Sequence, residues 1–465
     1  MQSGMLEPLP QRGLPFPSMR IALALGVIAF AMGGCGFELD LSSTNPLVDA
    51  PPEAITMCTA GQPLCIGRVR ATCNATGTGI AETTLCPLAC LDGGQCVAAS
   101  NLPDDAQRAC LSSAPTLSPP NNAMVQFRPG GSPGGVDIRC TPNCGGGVST
   151  ISSSRVSQAS GPPIAMFCLR TIDLPASVTV TSDLAVTNAL ALLVVGNVQI
   201  AGKLLVSGSN AGQNTGGQGG PAGGDGGGPA GDDSSGSPGG PPCGGNGGST
   251  VGTNASAAGG GGGGGGHAAK GGDGGQGRAD ANLAAGGSGG NACGAAELSP
   301  LAGGGGGGAG GDGSCHPTTC GWAGGGGGGA IQISATGSFV LAGTSAIRAS
   351  GGTGFGATTG EAGEGGGGGG GAGGAILLEA PAMTIGGVLD VIGGNGGQSN
   401  AGAGGTGGSS MLAGGAGAIQ DALREGGGGG GGAGGRIRVN ASNASCGTAA
   451  QPPQACTTGT LRVVP

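Results

Sequence analysis

From residue 171 onward, hydrophobic positions recur mostly two apart. Ile172, Leu174, Val178, Val180, Leu184 and Val186 alternate with small or polar residues, the spacing of half-buried strands. The pattern then becomes a repeat. Ala191 begins a segment that continues through Ile200, Gly202, Leu204, Val206 and Gly208. It aligns without gaps to Ile376, Ile385, Gly387, Leu389, Val391 and Gly393. A third copy runs from Ile331 and Ile333 through Leu341, Gly343, Ile347 and Ala349. The fourth runs from Ile437 and Val439 to Leu461 and Val463. About eleven extra residues interrupt the fourth copy, bracketed by Cys446 and Cys456, and a disulfide closing that insertion is expected.

Each copy spans about 20 residues and holds three short apolar segments separated by small residues. Such a unit cannot bury its own aliphatic face and must stack on its neighbours. Alternation turns Ile376, Leu378, Leu389 and Val391 inward. Gly387 and its equivalents mark tight corners. The pattern predicts an all-β chain wound as a right-handed parallel β-helix, a solenoid, over residues 171–465. An antiparallel sandwich is the alternative, but hairpin turns do not separate these segments.

Glycine supplies 118 of the 465 residues, and its tracts at 324–329, 365–374 and 426–435 end directly before a first strand. The insertions between copies range from about twenty residues to more than a hundred, the longest at about 209–329, yet the strand phase survives. Insertions at one corner of a repeat array behave in this way. Collagen needs glycine at every third position with abundant proline, and these runs are contiguous. We expect polyglycine-II bundles, in which glycine chains lie close enough to hydrogen-bond side by side. Cys243, Cys293, Cys315 and Cys320 are disulfide candidates within the longest insertion.

The remaining cysteines speak to compartment. Residues 1–34 read as an export signal, with Met19 as its natural start and an apolar core at 21–32, too short to span a bilayer. Small residues precede Cys35, which then becomes a lipidated first residue; ordinary cleavage leaving a secreted protein is the alternative. Residues 35–57 read as a tether. Residues 58–97 form a six-cysteine disulfide module of Cys58, Cys65, Cys73, Cys86, Cys90 and Cys96. Residues 98–170, with Cys110, Cys140, Cys144 and Cys168, read as an irregular, disulfide-tied lead-in. Without Cys35 the 17 cysteines become an even set, which suits full pairing outside the cytoplasm.

An apparent lipobox, a six-cysteine module, the strand Pro175-Ala-Ser-Val-Thr-Val and the phased AGGAILLEA and GGRIRV coils resemble glycine-rich predicted surface lipoproteins of myxobacteria and related bacteria. The resemblance covers most of residues 19–465. It implies an address and an architecture; that family carries no established activity.

Candidate chemistry is sparse. Gly-x-Ser-x-Gly occurs around Ser132 and Ser288, but neither lies between a strand and a helix as a nucleophile elbow requires. His316, between Cys315 and Cys320, fits a small disulfide loop better than a metal site. His267 is expected to be solvated. Asp225, Asp232, Asp233, Asp273, Asp280 and Asp312 share no phase, so no metal or cofactor site is assigned. In the coils Arg348, Glu379, Asp390, Arg436 and Arg438 are scattered, and Arg348 aligns with Asp390 as a surface pair. No catalytic residue is assigned. A net charge of −8 and 2% aromatic residues exclude a nucleic-acid interface. The expected function is a non-enzymatic, lipid-anchored surface protein with a structural or adhesive role toward envelope or extracellular-matrix components. The alternative is a carbohydrate-active β-helix enzyme.

Overall fold

The computed structural model describes residues 58–465 except 111–113, 253–256, 314–320, 358–363, 400–401, 409–412, 420–424, 444 and 447–448. Cys35, Cys315, His316 and Cys320 lie outside the described residues. Those described belong to one unit, Pro52–Pro465. They are almost wholly β: one α-helix, Asp104–Ala109, accompanies 29 strands.

The chain visits three parallel sheets in rotation. In the first, Ile164–Leu169, Ala189–Val194, Ala330–Ala335, Ala375–Glu379, Arg436–Asn440 and Cys456–Gly459 pair in that order. In the second, Ile172–Leu174, Val198–Ile200, Ser338–Leu341 and Ala382–Ile385 do the same. The third stacks Met124–Pro129, Thr179–Ser182, Lys203–Leu205, Ala346–Arg348, Val388–Asp390 and Ala450–Gln451. Inward side chains from all three meet in one core that contains Ile331, Ile333, Ile376, Leu378, Leu389 and Val391. A Cβ at Gly387 would lie 2.5 Å from the Ala342 carbonyl oxygen, so the corner admits only glycine.

Four details differ from the sequence expectation. Leu190, not Ala191, pairs through Ile331 to Ile376, because the repeat that begins at Ile376 is one residue shorter between its first two strands than those that begin at Leu190 and Ile331. A one-residue slip exchanges the faces, so Leu190, Leu192 and Val194 point inward while Ala191 and Leu193 face out. The stretch 98–170 is less irregular than expected. It supplies strands to the first and third sheets, and Val125, Phe127, Ile138 and Phe167 fill one end of the core. Cys446 and Cys456 are disulfide-bonded, and between them Ala450–Gln451 extends the third sheet rather than standing apart from it as an insertion. Finally, the last apolar segment leaves the coils. Arg462–Val464 pairs antiparallel with Gln95–Ala98 of the disulfide module.

That module is tied by Cys58–Cys73, Cys65–Cys90 and Cys86–Cys96. Cys110–Cys168, Cys140–Cys144 and Cys243–Cys293 are also bonded. Arg68 is buried within the module and donates to the carbonyl oxygens of Cys86, Pro87 and Leu88. Desolvation, with a smaller contribution from Arg108, brings its guanidinium down to about 10. The module and the loop at 298–301 cover the outer face of the first sheet, where Leu88, Val97, Leu102, Leu298 and Leu301 pack on Ala191, Leu193 and Leu377.

The glycine tracts carry the backbone hydrogen bonding on beyond the three sheets. Between a third strand and the next first strand the chain runs out, returns, and hydrogen-bonds to three neighbours in strict rotation. Gly304, Gly307 and Gly310 donate to Gly328, Gly325 and Trp322. Gly305, Gly308 and Gly311 donate to Gly266, Gly263 and Gly260. Gly306, Ala309 and Asp312 donate to Gly240, Ser237 and Ser234. The tract at 366–374 repeats the scheme, bonding antiparallel to residues 305–311 and 349–355 and parallel to residues 427–433. These tracts are buried.

Candidate functional site

Side chains alternate along Ala375–Glu379, so Ala375, Leu377 and Glu379 share the outward face of the first sheet. The disulfide module covers that face, and Glu379 is 0% exposed. In register with Glu379 stand Ser334 on the preceding strand and Asn440 on the following one, while Gln332 lies two residues before Ser334. Ser100 and Asn101 approach from the module's exit. Asn101 has a left-handed backbone, φ 58°, a conformation asparagine tolerates better than most residues.

Both Glu379 oxygens are occupied. Oε1 accepts from the Ser100 hydroxyl at 2.7 Å and from Asn440 Nδ2 at 3.1 Å. Oε2 accepts from Ser334 Oγ at 2.8 Å, Gln332 Nε2 at 2.9 Å and the Ser100 amide at 3.0 Å. Gln332 Nε2 also donates to the Ser100 carbonyl at 2.7 Å and lies 3.0 Å from Ser334 Oγ. Gln332 Oε1 accepts from Asn101 Nδ2 at 3.3 Å. A buried carboxylate therefore holds hydroxyl and carboxamide groups from segments far apart in the chain. It is stabilised by neutral donors, the remedy buried charge requires when no cation pairs with it.

Beside this cluster opens a cleft of about 700 Å3 lined by Asn101, Asp104, Asp105, Arg108, Gln158 and Arg462, among others. Arg462 donates to Asp104 Oδ1 and to the Ala99 carbonyl. The other charged coil residues go elsewhere. Arg348 Nε lies 3.8 Å from Asp390 Oδ2 on the third sheet. Arg436 donates to the carbonyls of Gly294 and Ala268, and Arg438 to Asn440 Oδ1. Ser288 Oγ accepts from Asn246 within the glycine region, and Asp225 accepts from the Gly219 amide. Asp273 accepts from Lys270 and the Gly289 amide, which hold its carboxyl below the usual range. Among the described residues no three His, Cys, Asp or Glu side chains gather as a metal site, and no helix is long and apolar enough to cross a membrane.

His267 corrects an expectation. It is 1% exposed rather than solvated. Its Nε2 lies 3.2 Å from the Ala302 carbonyl oxygen, and its Nδ1 has no partner. Burial lowers the imidazole from 6.5 to about 4; the Ala302 contact opposes this and Arg436 adds to it. The unfolded chain therefore takes up this proton first as pH falls. Stability contributed by the neutral ring is complete above pH 6.5 and drains away down to about pH 4, roughly 3 kcal/mol in all. His267→Gln should flatten the corresponding part of the melting-temperature profile. Parallel profiles for both proteins from neutral pH to about 4 would contradict the assignment.

Neither Glu379 with its partners nor His267 was recognisable as a site from spacing. Glu379 reads as a lone charge in a strand, and His267 as the end of a glycine run. The outward phase of Gln332, Ser334 and Glu379 on consecutive copies was the available signal. Compared with known protein families, characterised proteins and solved structures, the chain matches none.

Proposed function

We propose that the chain is a non-enzymatic, lipid-anchored protein of the cell surface, in which a right-handed parallel β-helix carries a rigid polyglycine-II slab in a structural or adhesive role. Rotation of the chain through three parallel sheets supports the helix, and parallel crossovers are overwhelmingly right-handed. The observation that carries the reading is the glycine backbone, in which every amide from Gly304 to Asp312 donates to one of three neighbouring tracts in turn. Ordering glycine costs more entropy than ordering any other residue. Cross-links such as Cys243–Cys293 and this hydrogen bonding offset that cost, and the product is a stiff body almost free of side chains.

Cys35 would supply the anchor. In bacterial cells fed a clickable fatty acid, the full chain should become labelled, sediment with membranes and be cleaved by protease added to intact cells. Cys35→Ser should lose the label and the membrane association. An unlabelled, freely released wild type would sink the anchor.

The rival polysaccharide lyase or hydrolase would gather carboxylates and arginines in one groove. Asp104, Asp105, Arg108 and Arg462 do meet, but in the cleft of about 700 Å3 outside the coil faces, and Asp104 is already paired with Arg462. Polysaccharide cleavage by the purified chain, abolished in Asp105→Asn, would replace the structural reading.

A further inference from the structure

We propose that Ser100 and Gln332 join in a self-formed ester, with Glu379 moving the proton, so that the disulfide module is covalently stapled to the coils. This is independent of the lipid anchor.

Three features converge on the chemistry. The Ser100 hydroxyl donates to Glu379 Oε1 at 2.7 Å, which places a base on the nucleophile. The other oxygen of the same carboxylate stands 2.9 Å from Gln332 Nε2, the leaving nitrogen. Asn101 Nδ2 faces Gln332 Oε1 at 3.3 Å, where negative charge develops when the amide carbon is attacked. Gln332, Ser334 and Glu379 are all 0% exposed, so competing water is kept from the amide.

The nitrogen's surroundings point the same way. Gln332 Nε2 has three acceptors within reach, the Ser100 carbonyl at 2.7 Å, Glu379 Oε2 at 2.9 Å and Ser334 Oγ at 3.0 Å. A carboxamide has only two hydrogens to offer them. The protonated nitrogen of the tetrahedral intermediate has three. The site therefore suits the departing group better than the ground-state amide, which is the condition for accelerating a step.

The atoms balance. Ser100 Oγ attacks Gln332 Cδ as Glu379 accepts the hydroxyl proton, forming an O–C bond and an oxyanion opposite Asn101. Glu379 returns that proton to Nε2, the C–N bond breaks, and ammonia leaves. A hydroxyl and a carboxamide become an ester and ammonia, the carboxylate is regenerated, and nothing is oxidised or reduced. Positioning by the fold supplies the effective concentration such a reaction needs, and escape of ammonia draws it forward. The linked residues are 232 apart in sequence, so the ester would close a very long loop. Ser334 also donates to Glu379, but it lies two residues from Gln332 on one strand, and its ester would close only a local ring.

Peptide mass mapping of the full chain decides the matter. Wild type should yield a branched peptide joining the segments that carry Ser100 and Gln332, lighter than their sum by one ammonia and split by alkaline hydroxylamine. Ser100→Thr should retain the link; Ser100→Ala and Glu379→Gln should lose it. Unlinked Ser100 and Gln332 peptides from wild type, or a link through Ser334, would overturn the proposal whatever the folding of the variants.

Discussion

Gly369→Ala is expected to destabilise the protein by more than about 4 kcal/mol, at the far end of single-substitution effects. Gly369 lies inside the glycine body, donating to the Gly308 carbonyl at 2.7 Å and accepting from the Gly325 amide at 2.9 Å. A Cβ there would sit 2.1 Å from the Gly263 carbonyl oxygen and 2.6 Å from its carbon. Both are backbone atoms of another tract held in place by its own neighbours, so no side-chain rotation relieves the clash. Tracts must move apart, and overpacking then adds to the loss of hydrogen bonds along them. Gly228→Ala is the control, because a Cβ at that position meets nothing within 4 Å. In wild type, amides at 303–311 and 366–374 should exchange as slowly as those of the coil strands. In Gly369→Ala they should exchange much faster, with a lower unfolding midpoint. Equal behaviour of the two variants, or rapid exchange throughout 209–330 in wild type, would remove the close-packed glycine body from the account.

Glu379→Ala should cost about 3–5 kcal/mol, because breaking a buried hydrogen-bond network strands several donors at once. The loss comes less from the carboxylate than from what it leaves behind. Gln332, Ser334 and Asn440 would keep donors in a space closed to water, each with a desolvation penalty of roughly 1–3 kcal/mol before relaxation, and the half-buried Ser100 would lose its acceptor too. Glu379→Gln keeps the shape and one strong acceptor, so it should fall between the two. The contact joins the module's exit to the coils, so limited proteolysis of Glu379→Ala should open the chain near residues 100–108 first. Denaturant unfolding within experimental error of wild type for the alanine variant would refute this role.

How far the fold was legible in advance depends on the kind of signal each element carries. Alternation of apolar residues identified the coil strands and the inward set Ile376, Leu378, Leu389 and Val391, because burying one face of a strand dictates period two. The match of Arg348 to Asp390 followed from the same phase. The register at position 190 is not legible in the sequence, because a gapless match scores Ala191 as well as it scores Leu190 in an aliphatic run, and only pairing across the sheet distinguishes them. The strands of 98–170 were obscured by proline and serine between short apolar runs.

The sequence alone therefore determined the β character, the repeat phase, the place where glycine enters each coil and which cysteines were available to pair. Tertiary structure decided what covers the outward face. Glu379 becomes a buried hub only because Ser100, 279 residues away, folds over it. His267 is buried only because other tracts close around it. Glycine has no side chain with which to mark its neighbours, so which tract lies against which is set by backbone hydrogen bonds and chain closure. Local pattern reports the period of an element and the side it buries. The identity of what it is buried against arises from contacts between distant segments, which have no local signature.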